Sequence, residues 1–175
     1  MVATTLDLPH VPRRELSELD PDALTRLTIR ELDELFAGLD RATLGELQGR
    51  KRGRVMAVSG FDWVPGVARS AVLRFVNELP IWRGTQFEGE FGSNLWLLGG
   101  GHLQFGRYVV REAPALDGQG SVIRLDYDVA ANPRALRRIV GELRHLGEGV
   151  FLVRLQYLWG DRVVKILYFT LEQQG

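Results

Sequence analysis

Cysteine is absent from the 175 residues. That excludes disulfides, thiolate nucleophiles, Cys-ligated zinc and iron–sulfur clusters. Histidine is scarce: His10, His102 and His145 are widely separated. No multi-His metal site is expected, and no cofactor. No run of about 18 apolar residues occurs, so nothing reads as a membrane span. Net charge is lacking too, because 22 basic residues balance 22 acidic ones. Residues 1–54 carry 9 basic and 10 acidic residues, and 55–175 carry 13 and 12. Neither half projects the field that a nucleic acid or an anionic membrane would answer. The opening residues, Met1 to Pro12, contain Asp7 and no long apolar run. They do not read as a signal peptide, and a cytoplasmic protein is the expectation.

What is present is an ordinary globular composition, 45% hydrophobic and 25% charged. The size fits one domain with a single core. Asp20-Pro21 reads as an N-cap and first helical residue. Thr28 with Glu31 reads as a capping box ahead of the stripe Leu32, Leu35, Phe36 and Leu39. Thr43 to Leu47 reads as a short turn. Val67, Ala68, Ala71, Val72, Phe75, Val76 and Leu79 recur near a period of 3.6, a helix ended by Pro80. Between these lies Arg50-Lys51-Arg52 with Arg54, which reads as a solvated, charged linker.

After Pro80 the signals turn to strands: 81–88, 94–98, 103–112 and 121–128, punctuated by Gly99-Gly100-Gly101 and Asp117-Gly118. Asn132-Pro133 reads as the start of a helix over 132–146 with the stripe Leu136, Ile139, Val140 and Leu143. Two long strands close the chain, Val150 to Trp159 and Arg162 to Glu172, joined at Gly160-Asp161. Both are apolar on much of both faces, so one face should line an interior while the other meets helices.

The expected fold class is α+β. Residues 1–79 give an N-terminal arm and helices that pack on a barrel. Residues 80–175 give a small antiparallel β-barrel with the one inserted helix. From Leu79-Pro80-Ile81-Trp82-Arg83-Gly84 to the C-terminus, the chain resembles bacterial lipocalin-like, calycin-type proteins of no assigned function. Leu116-Asp117-Gly118, Leu125-Asp126-Tyr127, Gly141-Glu142-Leu143-Arg144 and Leu167-Tyr168-Phe169 carry the resemblance further. It implies a barrel with an apolar cavity and no particular reaction.

The candidate site residues follow from that frame. Trp82 is either a structural plug at a barrel end or a ligand contact. Trp96, Phe105, Tyr108, Tyr127, Phe151, Tyr157, Trp159, Tyr168 and Phe169 either enclose a hydrophobic ligand or fill the barrel. Arg107 and Arg111 share a strand face and are candidates for a ligand carboxylate at a mouth, or simply reach to water. Asp126 and Asp128 share a face with Arg124. Asp126 is a candidate base or an exposed ion-pairing group. The leading expectation is binding of a small hydrophobic molecule. The second is a cofactor-free cyclase or isomerase of a polyketide- or terpenoid-like substrate, with Tyr108, Tyr127, Asp126 and Tyr157 as proton donors or clamps. The third is an interaction module using the N-terminal helices, and homo-oligomers fit that reading.

Overall fold

A computed structural model describes residues 21–79, 82–98 and 101–173. The N-terminal arm with His10 lies outside the described residues, as do Asp20 of the expected first cap and the side chain of His102. Two helices open the described chain, α1 (Pro21–Leu24) and α2 (Ile29–Gly38), followed by a 3₁₀ turn at Leu44–Leu47. The strands are β1 (Gly49–Val58), β2 (Trp82–Glu88), β3 (Phe91–Leu98), β4 (Gly101–Pro114), β5 (Ser121–Asp126), β6 (Ile139–Gly147), β7 (Val150–Trp159) and β8 (Arg162–Gln173). Helix α3 (Gly66–Glu78) connects β1 to β2. Every strand pairs antiparallel with its neighbours in chain order, and β8 pairs back onto β1 to close the barrel. Closure removes every free edge.

Strand alternation sorts side chains into two cores. Inward residues such as Phe87, Tyr108, Leu125, Leu143, Val153, Phe169 and Leu171 fill the barrel. Outward residues Leu152, Tyr168, Val122 and Met56 meet Leu24, Leu32, Leu35 and Phe36 of α1 and α2. The capping box starts α2 as expected: Glu31 N–H donates to Thr28 Oγ1 at 3.2 Å, and Thr28 N–H donates to Glu31 Oε2 at 2.7 Å. Gly160 turns β7 into β8 with φ of 58°, a region that favours glycine.

Three expectations are corrected. There is no helix over 132–146. A 3₁₀ turn at Leu136–Arg138 leads directly into β6. Without β6, strands β5 and β7 would each present an unpaired edge. Gly141 at its middle also packs its backbone against the Leu125 side chain, where a larger residue would crowd. The polar Glu142 and Arg144 mimic the wet side of a helix, yet they lie on the outer wall beneath α2. The second correction is at Arg50-Lys51-Arg52, which is strand rather than linker. Arg50 and Arg52 point outward, while Lys51 points in and is 1% exposed. Its ammonium donates to the Glu46 carbonyl at 2.9 Å and to Gln173 Oε1, and sits over the Phe151 ring. Desolvation pulls its pKa down. The barrel therefore begins at Gly49 and not at residue 80. The third correction is α3, which is inserted between two barrel strands. Most of its expected apolar stripe faces outward, with Val67 79% and Phe75 64% exposed, while Arg69, Ser70 and Leu73 are buried.

The outer wall holds one dense polar cluster. Glu142 is fully buried. It accepts from Arg154 at 2.7 Å, Gln156 at 2.8 Å and the Leu116 backbone N–H at 2.6 Å. Arg154 also donates to Asp117 at 2.8 Å and lies 3.7 Å from Asp33 of α2. The Phe36 ring is flanked by the guanidinium groups of Arg154, 4.6 Å away, and Arg144, 5.0 Å away. Arg144 donates to the carbonyls of Phe36 and Ala37 near the end of α2, where cations suit the helix dipole. Removing one partner of a buried pair leaves an uncompensated charge. Glu142→Ala should lower the unfolding free energy by roughly 3–5 kcal/mol in denaturant titrations. The double variant Glu142→Leu with Arg154→Met should lose clearly less. Equal losses would refute the pairing argument.

Candidate ligand-binding cavity

Strands that alternate in direction put their turns at two ends. The β2–β3, β4–β5 and β6–β7 turns lie at one end, called lower here. The β7–β8 turn, the β5–β6 connection and α3 lie at the upper end. The lower interior is packed with Phe151, Leu47, Phe87 and Lys51. The upper interior contains a cavity of about 300 Å³. Its wall is Val55 of β1, Trp82 of β2, Asn94 and Trp96 of β3, Leu155 of β7, Leu167 and Phe169 of β8, and Tyr127 just past β5. Val76 and Asn77 of α3 cover it.

Small residues make the room. A Cβ at Gly53 would fall inside the Trp82 ring, so that ring rests directly on the β1 backbone. Trp82 then meets Phe169 edge-on, with centroids 5.1 Å apart. Gly84 has φ of 123° and a backbone so close to β1 that no Cβ would fit, which allows the bulge that brings Trp82 in. A second bulge lies opposite Asn94, where Ser93 pairs with Arg107 but Asn94 pairs with Phe105. The extra residue is Gly106, with φ of 76°. The bulge aims Asn94 at Tyr127, and Asn94 Nδ2 donates to Tyr127 Oη at 3.0 Å.

Two asparagines repair the sheet at the upper end. Strands β1 and β2 pair only from Gly49↔Phe87 to Arg52↔Gly84. Beyond that point Val55 N–H donates to Asn77 Oδ1 at 2.7 Å, and Asn77 Nδ2 donates to the Val55 carbonyl at 2.9 Å. Likewise β4 loses β5 beyond Val109↔Asp126. Arg107 N–H there donates to Asn132 Oδ1 at 3.0 Å, and Asn132 Nδ2 donates back to the Arg107 carbonyl at 2.6 Å. Each carboxamide stands in for a strand.

The candidate residues scatter relative to this cavity. Trp82, Trp96, Tyr127 and Phe169 line it. Trp96 spends its indole N–H on the Phe105 carbonyl at 3.2 Å, while the Phe105 ring is exposed. Tyr108 is buried deeper in the barrel, its hydroxyl paired with Thr85 and its ring 4.9 Å from that of Tyr127. Phe151 is at the packed lower end beside His145. Tyr157 is half-buried and packs on the exposed Trp159 near the β7–β8 turn, with centroids 6.2 Å apart. Tyr168 faces outward under α2 and donates to Asp33 at 2.7 Å. Asp126 and Arg111 pair with each other on the outer wall at 2.9 Å, and Arg107 is exposed outside. Thus neither the candidate base nor the candidate anion contacts face the interior. The sequence reading missed Asn94, Asn77, Val55, Val76, Leu155 and Leu167. Leu155 and Leu167 share strand faces with inward aromatics and were accessible to alternation. Asn94 and Asn77 carried no signal.

Tyr127 is 4% exposed, and burial pushes its phenol up to about 12 despite the Asn94 hydrogen bond. Burial also raises Tyr108 well above its ordinary value of 10.0. The folded state keeps these protons where the unfolded chain has lost them. Stability should therefore hold below about pH 10 and fall as the pH rises toward 12. Absorbance at 295 nm tests this: at pH 11 the native protein should show a clearly smaller phenolate signal than the denatured chain.

Fold and cavity define a class, a small closed up-and-down barrel of lipocalin-like architecture. No family model matches the chain, and no curated protein matches it. A solved structure, described as the crystal structure of a protein from Thermomonospora curvata, superposes with a TM-score of 0.61 at 16% identity. The match covers 93% of this chain and 98% of that one, and at such identity it shows the fold alone. Among the described residues, no helix is long and apolar enough to cross a membrane.

Proposed function

We propose that the protein binds a small hydrophobic molecule in the upper cavity. The supporting observation is the contrast between the two ends of one barrel. The lower interior is packed solid, whereas the upper leaves about 300 Å³ behind apolar and aromatic walls. Sites for small molecules run from roughly 300 to 1,000 Å³ and are mostly apolar with a few placed polar groups. Burying ligand surface there would yield roughly 25 cal/mol per Å².

The cyclase or isomerase reading draws less support. Among the described lining residues there is no carboxylate, imidazole or amine to act as a general base. Tyr127 is the one phenol, and Asp126 is on the other side of the wall. Leu155→Trp should fill the cavity. Equilibrium dialysis against naphthalene should show saturable binding to the native protein, one molecule per chain, and none to the variant at unchanged melting temperature. Equal binding by both would place the ligand elsewhere.

An interaction surface is the second reading, and α3 is what favours it. The stripes of α1 and α2 are spent on the barrel wall, but Val67, Val72 and Phe75 of α3 are exposed, as is Trp63 in the segment before α3. Apolar patches of that kind mark contacts. On this reading a second copy covers the patch. Sedimentation velocity should then show concentration-dependent dimers that Phe75→Glu abolishes. A monomer at all concentrations would dismiss it.

A further inference from the structure

We infer that the ligand of this cavity is an uncharged, ring-containing molecule with an oxygen that accepts a hydrogen bond from Tyr127. The inference rests on the binding reading above and names its ligand class. Its ground is the polar inventory of the cavity. Of the polar side chains lining it, Asn77 accepts from the Val55 N–H and donates to the Val55 carbonyl, so it is committed to holding α3 in place. The Trp96 indole N–H is spent on the Phe105 carbonyl. That leaves Asn94 and Tyr127.

Asn94 donates to Tyr127 Oη. The phenol oxygen is therefore an acceptor in that contact, and its own proton has no acceptor among the described residues. Tyr127 is 4% exposed and lines the cavity, so this is a buried donor at an apolar site. Buried donors are ordinarily satisfied, so this phenol calls for an acceptor within the cavity. The accepted hydrogen bond from Asn94 also polarises the phenol and strengthens it as a donor. A carbonyl or hydroxyl oxygen on the ligand meets that donor.

Charge is disfavoured in both directions. No cation lines the cavity among the described residues: Arg107 and Arg111 are outside the wall, and Lys51 is at the packed end. A carboxylate would lose its water with only one phenol in return. A ligand ammonium would find no carboxylate. The walls also select shape. Trp82, Trp96 and Phe169 offer flat faces and edges, which suit rings more than a flexible chain that must lose its rotational freedom.

Three probes on one scaffold test this: naphthalene, 2-acetylnaphthalene and 2-naphthoate, each measured by equilibrium dialysis against the native protein and Tyr127→Phe. The neutral ketone should bind native protein roughly three- to tenfold tighter than naphthalene, the net effect of one hydrogen bond. The carboxylate should bind weakest. In Tyr127→Phe the ketone should lose its advantage while naphthalene binds as before, which also shows that the variant is folded. If the ketone has no advantage in the native protein, keeps it in Tyr127→Phe, or is surpassed by the carboxylate, the inference is overturned though cavity binding stands. If no probe binds the native protein, the binding reading falls and the inference with it.

Discussion

Glu142 carries a negative charge wholly out of water, and the surrounding wall is arranged to meet it. The Arg154 guanidinium lies on one oxygen beside the Gln156 amide, and a backbone N–H from the β4–β5 turn lies on the other. A buried pair of this kind adds little net stability compared with apolar residues, but removing one partner alone is costly. It ties β6 to β7 and to the β4–β5 turn, and through Asp33 and the Phe36 ring it fixes where α2 lies. With α2 in place, the outward aromatics and aliphatics of β7 and β8 are covered. Over their lower stretches these two strands can then be apolar on both faces, while Trp159, Val163 and Val164 beside the β7–β8 turn stay exposed.

That covering frees the barrel interior from supplying the whole hydrophobic core. The chain has two apolar layers, one inside the barrel and one between wall and helices. The inner layer is complete at the lower end, where the Lys51 ammonium is held by carbonyl, amide and ring contacts. It is incomplete at the upper end, where glycine-supported bulges draw Trp82 and Asn94 inward and leave space between them. The cavity is thus a product of local backbone irregularity in a regular closed sheet.

Much of this architecture was legible. The two C-terminal strands, their turn, the capping box and the antiparallel barrel all follow from alternation and turn residues. What misled was polarity without its surroundings. Glu142 and Arg144 look like a solvated face, but the water is replaced by α2, so a strand passed for a helix. Arg50-Lys51-Arg52 looks like a linker, but only every second side chain has to leave the barrel. Conversely, the stripe of α3 looks like a buried face and is exposed. For the site, aromatic content pointed at the barrel interior but did not single out the end that holds the cavity. Tyr108, Phe151 and Tyr168 are as apolar as Tyr127 and Phe169, and only register separates them. Asp126, Arg107 and Arg111 follow the same period-two rule to the outside, where the exposed ion-pairing and water-reaching alternatives had put them.

The carboxamides of Asn77 and Asn132 give the barrel a mechanical property that eight continuous strands would lack. Along most of the wall, parting two strands breaks a ladder of main-chain hydrogen bonds in concert. At Val55 and at Arg107 it breaks only two contacts to one side chain. The wall therefore has two seams, both at the cavity end, and one of them is held shut by the helix that roofs the cavity. Asn77 is one fastening of that roof, beside the buried Thr25–Ser70 hydroxyl contact and the Arg69 guanidinium on the Val64 carbonyl. Two seams at the upper end are thus fastened by side chains, where the rest of the wall is fastened by its own backbone.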